Sequence, residues 1–272
     1  MSSSNSVAQL GLVGAGGRMG RQLLSAILDN PATQLAAACD RPGADVIGRD
    51  AGELVAHETA GVVIGDDAKA VFEASDVVID FTHFSAAPMH LALALETKTN
   101  LFLATTGLPP ETQTQVETTA QEVGIIQAAN TSLGVNLLAL LVEQAARSLD
   151  ASFDIEVVEM HHKHKVDAPS GTALLLGKAA AQGREQNHDA VACYERSGHT
   201  GDRPDGEIGY ATLRGGDVAG EHTVFLAGDQ ERIELTHRAT SRTIFSAGAV
   251  KGARWLVGKA PGLYSMRDVL GL

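Results

Sequence analysis

Two rhythms of apolar residues divide this chain. Through the first half they come in short unbroken runs, at 7–13, 34–39, 77–82, 101–106 and 125–130. Between them, stretches such as 21–28, 85–97 and 110–122 carry helical spacing. Strands apolar on both faces and separated by helices predict a parallel sheet covered above and below. After an expected helix over 133–149 the pattern turns to alternation. In Phe153-Asp154-Ile155-Glu156-Val157, apolar and acidic side chains point opposite ways, as in a strand with one wet face. A helix is expected over 172–180, opened by Ser170 or a neighbour. Runs at 207–214, 221–227 and 231–238 read as strands. Gly215-Gly216-Asp217 and Ala227-Gly228-Asp229 between them suggest hairpins.

The expected fold class is α/β: a doubly wound parallel sheet domain plus an α/β domain with an open mixed sheet. One face of that second sheet would be covered by helices. The other would be buried against a second copy of the chain. Residues 241–259 align Ile244, Phe245, Gly248, Ala249, Gly252, Ala253 and Leu256 on one helical stripe, whose small residues permit close approach to a neighbour. A return to the first sheet gives a dinucleotide-binding domain of 1–131 with 241–272. Residues 132–240 form the inserted domain, with the two crossings as a hinge pair.

The end of the first apolar run carries chemistry. Gly14-Ala15-Gly16-Gly17-Arg18-Met19-Gly20 lies between an expected strand and an expected helix, the context a dinucleotide-binding turn requires. Glycines allow a tight turn and let backbone N–H groups at the helix start approach a pyrophosphate. The spacing is a variant, since Met19 stands where the third glycine is usual and Gly20 follows it. Alone, such a turn is weak evidence. The next run ends in Asp40-Arg41, about 20 residues on, where an acid recognises ribose hydroxyls. Arg41 beside it suits the extra phosphate of NADP, so either NADH or NADPH is expected. A surface pair closing a strand is the plainer alternative. Thr105, Thr106, Gly107 and Ala129, Asn130, Thr131 follow later strands at their carboxyl ends. There a nicotinamide contact and ordinary turn chemistry are both open.

Composition narrows the partners. A net charge of −12 argues against general nucleic-acid binding, so an anionic ligand must be drawn by a local patch. Two cysteines, Cys39 and Cys193, show no metal or disulfide spacing and suit a reducing compartment. The polar, uncharged stretch 1–6 does not resemble a signal peptide, and no apolar run approaches the roughly 20 residues of a membrane span. A cytoplasmic protein is expected.

Against that acidic background, five consecutive residues from His161 to Lys165 can each carry positive charge. Adjacent cations repel unless an anion offsets them. The run leads into Pro169-Ser170-Gly171-Thr172, a turn opening a helix whose first N–H groups form a second anion-binding element. A pocket for a small, multiply charged acid is favoured over a solvated basic loop. No metal site is indicated.

Gly-Ala-Gly-Gly-Arg-Met-Gly at 14–20, Ile-Asp-Phe-Thr at 79–82, Thr-Thr-Gly at 105–107 and Glu-x-His-His-x-His-Lys-x-Asp-Ala-Pro-Ser-Gly-Thr-Ala at 159–173 now stand in order. With Gly-His-Thr-Gly at 198–201 and Ala-Gly-Glu-His-Thr at 219–223, the whole chain resembles the 4-hydroxy-tetrahydrodipicolinate (dihydrodipicolinate) reductase family. That family serves the diaminopimelate route to lysine in bacteria and plants. The resemblance implies a Rossmann-like domain, an inserted substrate and tetramerisation domain, and a homotetramer. By position it implies that Gly14, Ala15, Gly16, Gly17, Arg18 and Met19, then Asp40 and Arg41, bind NADH or NADPH. Ala104, Thr105, Thr106 and Ala128, Ala129, Asn130, Thr131 would complete the cofactor site. His161 and Lys165 would serve the chemistry. His162, Lys165, Ser170, Gly171 and Thr172 would hold the substrate carboxylates. Two positions depart from the family: His83 where arginine is frequent, and Thr131 where an aromatic residue is common.

The implied reaction adds hydride to a ring carbon conjugated with an imine and a carboxylate, and a proton must neutralise the charge that develops. A protonated His161 suits that role because imidazole titrates near pH ~6.5. Lys165 is the alternative donor, and otherwise anchors a carboxylate. Rival readings lose ground on particular residues. A semialdehyde dehydrogenase needs a nucleophilic cysteine, and neither cysteine sits in an evident site. A non-catalytic nucleotide sensor has no use for the donor and carboxylate-binding set.

Overall fold

Apolar runs broken by helices fold as their rhythm predicts. The computed structural model describes residues 7–272; the polar stretch 1–6, read above as no targeting segment, lies outside the described residues. In chain order the first elements are β1 (Ala8–Val13), α1 (Arg18–Leu28), β2 (Thr33–Cys39), α2 (Ala68–Glu73), β3 (Val77–Asp80), α3 (Ala87–Thr97), β4 (Asn100–Leu103), α4 (Pro110–Thr119) and β5 (Gly124–Gln127). Next come α5 (Leu133–Ser148), β6 (Asp154–His161), α6 (Gly171–Gly183), α7 (His188–Val191), β7 (Ala192–Cys193), β8 (Ile208–Arg214), β9 (Gly220–Ala227) and β10 (Arg232–Ala239). The chain then adds α8 (Thr243–Leu256), β11 (Gly262–Tyr264) and α9 (Met266–Leu270). One compact unit runs to Ser132 and resumes at Thr243, and the other is Leu133–Arg242.

The first unit is a Rossmann-like α/β fold. Its six strands run in the order β11-β5-β4-β3-β1-β2, every neighbouring pair parallel. All four residues of β3 are buried, as helices on both faces require. Strand order reverses between β1 and β3, which opens a crevice at their carboxyl ends. The small residues of α8 act as expected. A Cβ on Gly248 would lie 1.9 Å from the Thr131 carbonyl oxygen, and one on Gly252 would lie 2.4 Å from the Phe102 ring. The edge strand β11 was not anticipated: three residues are too few to show a period.

The second unit holds a mixed sheet, β10-β9-β6-β8-β7. Here one expectation is corrected. β9 and β10 form a hairpin, but β8 and β9 do not, because β6 lies between them, parallel to β8 and antiparallel to β9. Five residues link β8 to β9. Extended, they reach roughly 17 Å, ample to step over one strand and its two spacings of about 4.8 Å. A glycine-rich turn therefore did not imply pairing. Ile155, Val157, Ile208, Val224 and Leu226 cover one face of the sheet and pack with Leu138, Val142, Leu176 and Ala180 of α5 and α6. Each large side chain so buried contributes about 1.5–3 kcal/mol. On the other face Val158, Met160 and Phe225 stay half-buried and Leu213 is 50% exposed.

Candidate active site

Alternation along β6 decides where its polar groups go. Asp154, Glu156, Val158 and Met160 face outward, while Ile155, Val157, Glu159 and His161 face the covered side. Register then brings residues far apart in the chain to the same place. Glu159 stands opposite Thr212 on β8 and His222 on β9, and His161 stands opposite Arg214. Where β6 leaves the core, a buried polar group thus forms from three strands.

Glu159 is its centre. It is only 2% exposed, yet it accepts from His161 Nδ1 at 2.5 Å, from Arg214 at 2.8 and 2.9 Å, and from the Ser170 N–H at 3.0 Å. Burial alone would raise its pKa, but Arg214, His161 and the Ser170 N–H together hold it below the usual carboxylate range. It is a buried carboxylate kept ionised. Burial pushes the pKa of His161 down; Glu159 opposes this, while Lys165 and Arg214 push it further down. The net direction is below the ordinary value, so near neutral pH the ring is mostly uncharged. Its Nδ1–H is donated to Glu159, which leaves Nε2 as the reactive edge. That downward direction disfavours a resident imidazolium. The cause is desolvation, invisible in the sequence. Gly220, at φ +153°, lies beside that edge, and a Cβ there would come within 2.9 Å of His161 Nε2.

The rest of the basic run divides by position. Lys163 and His164 are exposed, whereas His162 and Lys165 are half-buried. Backbone bonds from His162 to the Val218 carbonyl, 2.8 Å, and from Lys163 to the Gly216 carbonyl, 3.3 Å, fix the turn. Lys165 Nζ donates to both Asp167 oxygens at 2.8 Å and holds that carboxyl below its ordinary value. Glu159 and Asp167 are thus counter-ions already built into the cluster.

Ser170 caps α6, and its Oγ accepts from the Ala173 N–H at 3.1 Å. The same hydroxyl meets His222 Nε2 at 2.9 Å, and the Ser170 N–H is spent on Glu159. With its polar groups engaged inside a residue only 2% exposed, Ser170 shapes the helix start. Gly171 is exposed, with no atom within 4 Å of where its Cβ would be, so the entrance to α6 is open there. Thr172 follows, half-exposed.

In the first unit the glycine turn is braced from several sides. Gly17 begins α1 with no side-chain cap, as an anion-binding helix start requires. Gly20 performs the close-packing role that the motif's spacing had left in question: a Cβ there would lie 2.1 Å from the Gly14 carbonyl oxygen. Met19 is half-buried and Arg18 exposed. Arg21, not singled out from the sequence, donates from Nε to the Gly16 carbonyl at 3.1 Å. Asp40 accepts the Gly16 N–H at 2.7 Å and the Arg41 N–H at 2.8 Å. Carboxylate oxygens retain further lone pairs, so ribose hydroxyls still fit. These residues suit a dinucleotide: an uncapped helix start, a glycine turn without room for larger residues and an acid at the next strand's end.

Farther along the same sheet, Asp80 is fully buried and contacts His90 Nδ1 at 2.7 Å while accepting from Thr82. Thr105 Oγ1 donates to the Thr82 carbonyl at 3.2 Å, so that side chain braces the crevice. Ala104 and Ala128 are buried, while Thr106 and Ala129 are exposed. Asn130 Oδ1 accepts the Ser132 N–H at 2.9 Å. Thr131 is only 2% exposed and its hydroxyl donates to the Phe245 carbonyl at 2.8 Å. Its side chain therefore braces α8. His83 folds onto Phe84, with ring centroids 4.1 Å apart.

Comparison with known proteins shows the family and supports the fold. Residues 8–131 match the family described as dihydrodipicolinate reductase, N-terminus, and residues 134–270 match its C-terminus. The 4-hydroxy-tetrahydrodipicolinate reductase of Halorhodospira halophila is 50% identical over 263 residues, 97% of this chain and 98% of that protein. That of Allorhizobium ampelinum is 52% identical over 265 residues, with the same two coverages of 97% and 98%. Among solved structures, a dipicolinate-bound dihydrodipicolinate reductase from Paenisporosarcina superposes with a TM-score of 0.77 at 22% identity. It spans 96% of this chain and 98% of that one, which supports the fold.

Proposed function

The chain belongs to the dihydrodipicolinate reductase family and is an oxidoreductase, and on that premise we propose that it reduces the cyclic dihydrodipicolinate-type dicarboxylate to tetrahydrodipicolinate in lysine biosynthesis. The observation that carries this reading is the Glu159–His161 pair, clamped by Arg214 where β6 ends, near Lys165 and the open start of α6. A nicotinamide cofactor supplies the hydride. Gly14 to Met19 hold its pyrophosphate, with Ala15 in the turn, and Asp40 takes the ribose. The loops at Ala104–Thr106 and Ala128–Asn130 border the nicotinamide end. Arg41 beside Asp40 lets the site accept NADH or NADPH.

His162, Lys165 and the backbone N–H groups of Gly171 and Thr172 bind the two carboxylates. A bound dianion offsets Lys165 and Arg214, the charges that depress His161, and so raises its pKa toward protonation. Glu159 stabilises the resulting imidazolium through Nδ1. His161 then passes the proton from Nε2 to the ring as negative charge develops there. Substrate binding itself thus charges the acid.

The test is a coupled assay in which enzymatically generated cyclic substrate is supplied with each nicotinamide in turn. Cofactor oxidation dependent on that substrate is expected with both; oxidation with neither refutes the reading. Within the same proposal, the second unit's uncovered sheet face joins copies into a homotetramer. Val158, Met160, Leu213 and Phe225 give that face its apolar character. Native mass spectrometry should show four chains, and Phe225→Glu should lower that number. A monomeric wild-type protein would end the assignment. Free Cys39 and Cys193 are compatible with the cytoplasm as its compartment.

A further inference from the structure

His222 is a buried imidazole of the site that none of the roles above uses. It lies 52 residues beyond Ser170 and is only 4% exposed. Its ring stands edge-on to His161, centroids 5.1 Å apart and planes at 74°. Its hydrogen-bonding state follows from counting hydrogens. Ser170 Oγ already accepts the Ala173 N–H, and its own hydrogen needs an acceptor because the residue is buried. Among the described residues, the only other atom bonded to that oxygen is His222 Nε2, at 2.9 Å. If Nε2 accepts, the ring carries its proton on Nδ1, and one buried group, that N–H, lacks a protein partner. If Nε2 instead donated, both the Ser170 hydrogen and Nδ1 would be orphaned. Since each buried orphan costs about 1–3 kcal/mol, the first arrangement holds. Burial and then the neighbouring His161 push the pKa of His222 down to about 4, which keeps it neutral through the physiological range.

We propose that His222, as a neutral Nδ1–H tautomer accepting from Ser170, is a positioning residue of the reductase site that sets the orientation of the first turn of α6. The chain of contacts is short. His222 holds the Ser170 hydroxyl; Ser170 caps α6 through Ala173 and gives its N–H to Glu159; Glu159 holds His161. One imidazole thereby couples the helix start that receives a carboxylate to the carboxylate that aligns the acid. Neutrality is part of the role, because a second cation at 5.1 Å would repel the imidazolium that His161 must become. The inference rests on the proposed reductase reading and deepens it.

The experiment compares His222→Leu, His222→Gln and Ser170→Ala in the full-length protein, using calorimetric binding of dipicolinate and steady-state kinetics. Glutamine places an amide oxygen near the position of Nε2 and can still accept from Ser170, whereas leucine cannot. His222→Leu and Ser170→Ala are each expected to weaken dipicolinate binding and raise the substrate KM about tenfold. The cofactor KM should remain unchanged, and His222→Gln should stay within about threefold of wild type. The double variant should be no worse than either single one, since both break the same link. Nitrogen-15 spectra of wild-type histidines, which need no variant, should show His222 protonated at Nδ1. Protonation at Nε2, equal impairment of the leucine and glutamine variants, or an unmoved substrate KM in Ser170→Ala would each overturn the proposal. Wild-type protein that neither binds dipicolinate nor oxidises cofactor would instead count against the reductase reading.

Discussion

Replacing His161 with glutamine should cut kcat by about 10²–10⁴-fold while leaving the substrate KM within about threefold. Glutamine keeps a polar side chain of similar reach but cannot cycle a proton. Binding should survive, because the proposed site holds the carboxylates through His162, Lys165 and the α6 backbone and not through His161. The loss therefore belongs to the transition state, where ring charge must be neutralised as hydride arrives. Lys165→Ala should behave differently. It removes the charge paired with Asp167 at 2.8 Å, so kcat falls and KM rises together. Steady-state kinetics of the two variants separate the roles. A kcat within tenfold of wild type for His161→Gln would remove it as the acid and leave Lys165.

Glu159→Gln is the second large effect. The amide keeps the shape and can still accept the Ser170 N–H. It withdraws the negative charge, however, and with its oxygen kept on Ser170 it turns an NH₂ toward both His161 Nδ1 and Arg214. Arg214 then loses a counter-ion that is only 2% exposed, and unfolding free energy should drop by about 3 kcal/mol. The kinetic change has a definite sign. Glu159 raises the His161 pKa, so its loss lowers that pKa further. A required acid must be protonated, and kcat declines as pH rises through its pKa in the complex. In Glu159→Gln that decline should begin at lower pH, and kcat at neutral pH should fall about 10²-fold or more. Chemical denaturation and a kcat–pH profile check the two halves. An unmoved profile would show that Glu159 serves the fold alone.

Legibility differed between the two units for a physical reason. Strands buried on both faces must be apolar throughout, so β1, β3, β4 and β5 announced themselves, and the glycine turn marked the crevice. The three residues of β11 carried no such signal. In the second unit, period-two alternation revealed strands but not partners. Nothing in 215–219 indicated that β6 would lie between β8 and β9. Glu159 was written into the recognised motif, yet its role depends on Arg214, 55 positions away, and on the His222 that pairs opposite it. The hydrogen bonds of Ser170 to His222 and of Thr131 to Phe245 were likewise hidden, because sequence shows which groups exist, not which are already engaged.

The chain's order of residues determined that there is a parallel nucleotide sheet, that an inserted domain follows it, and that imidazoles and an ammonium precede a helix start. Tertiary structure alone decided which of those groups are buried and by what they are held. Charge state is set by desolvation and by neighbours across strands. Both are properties of a packed surface, where residues far apart in the chain become each other's solvent.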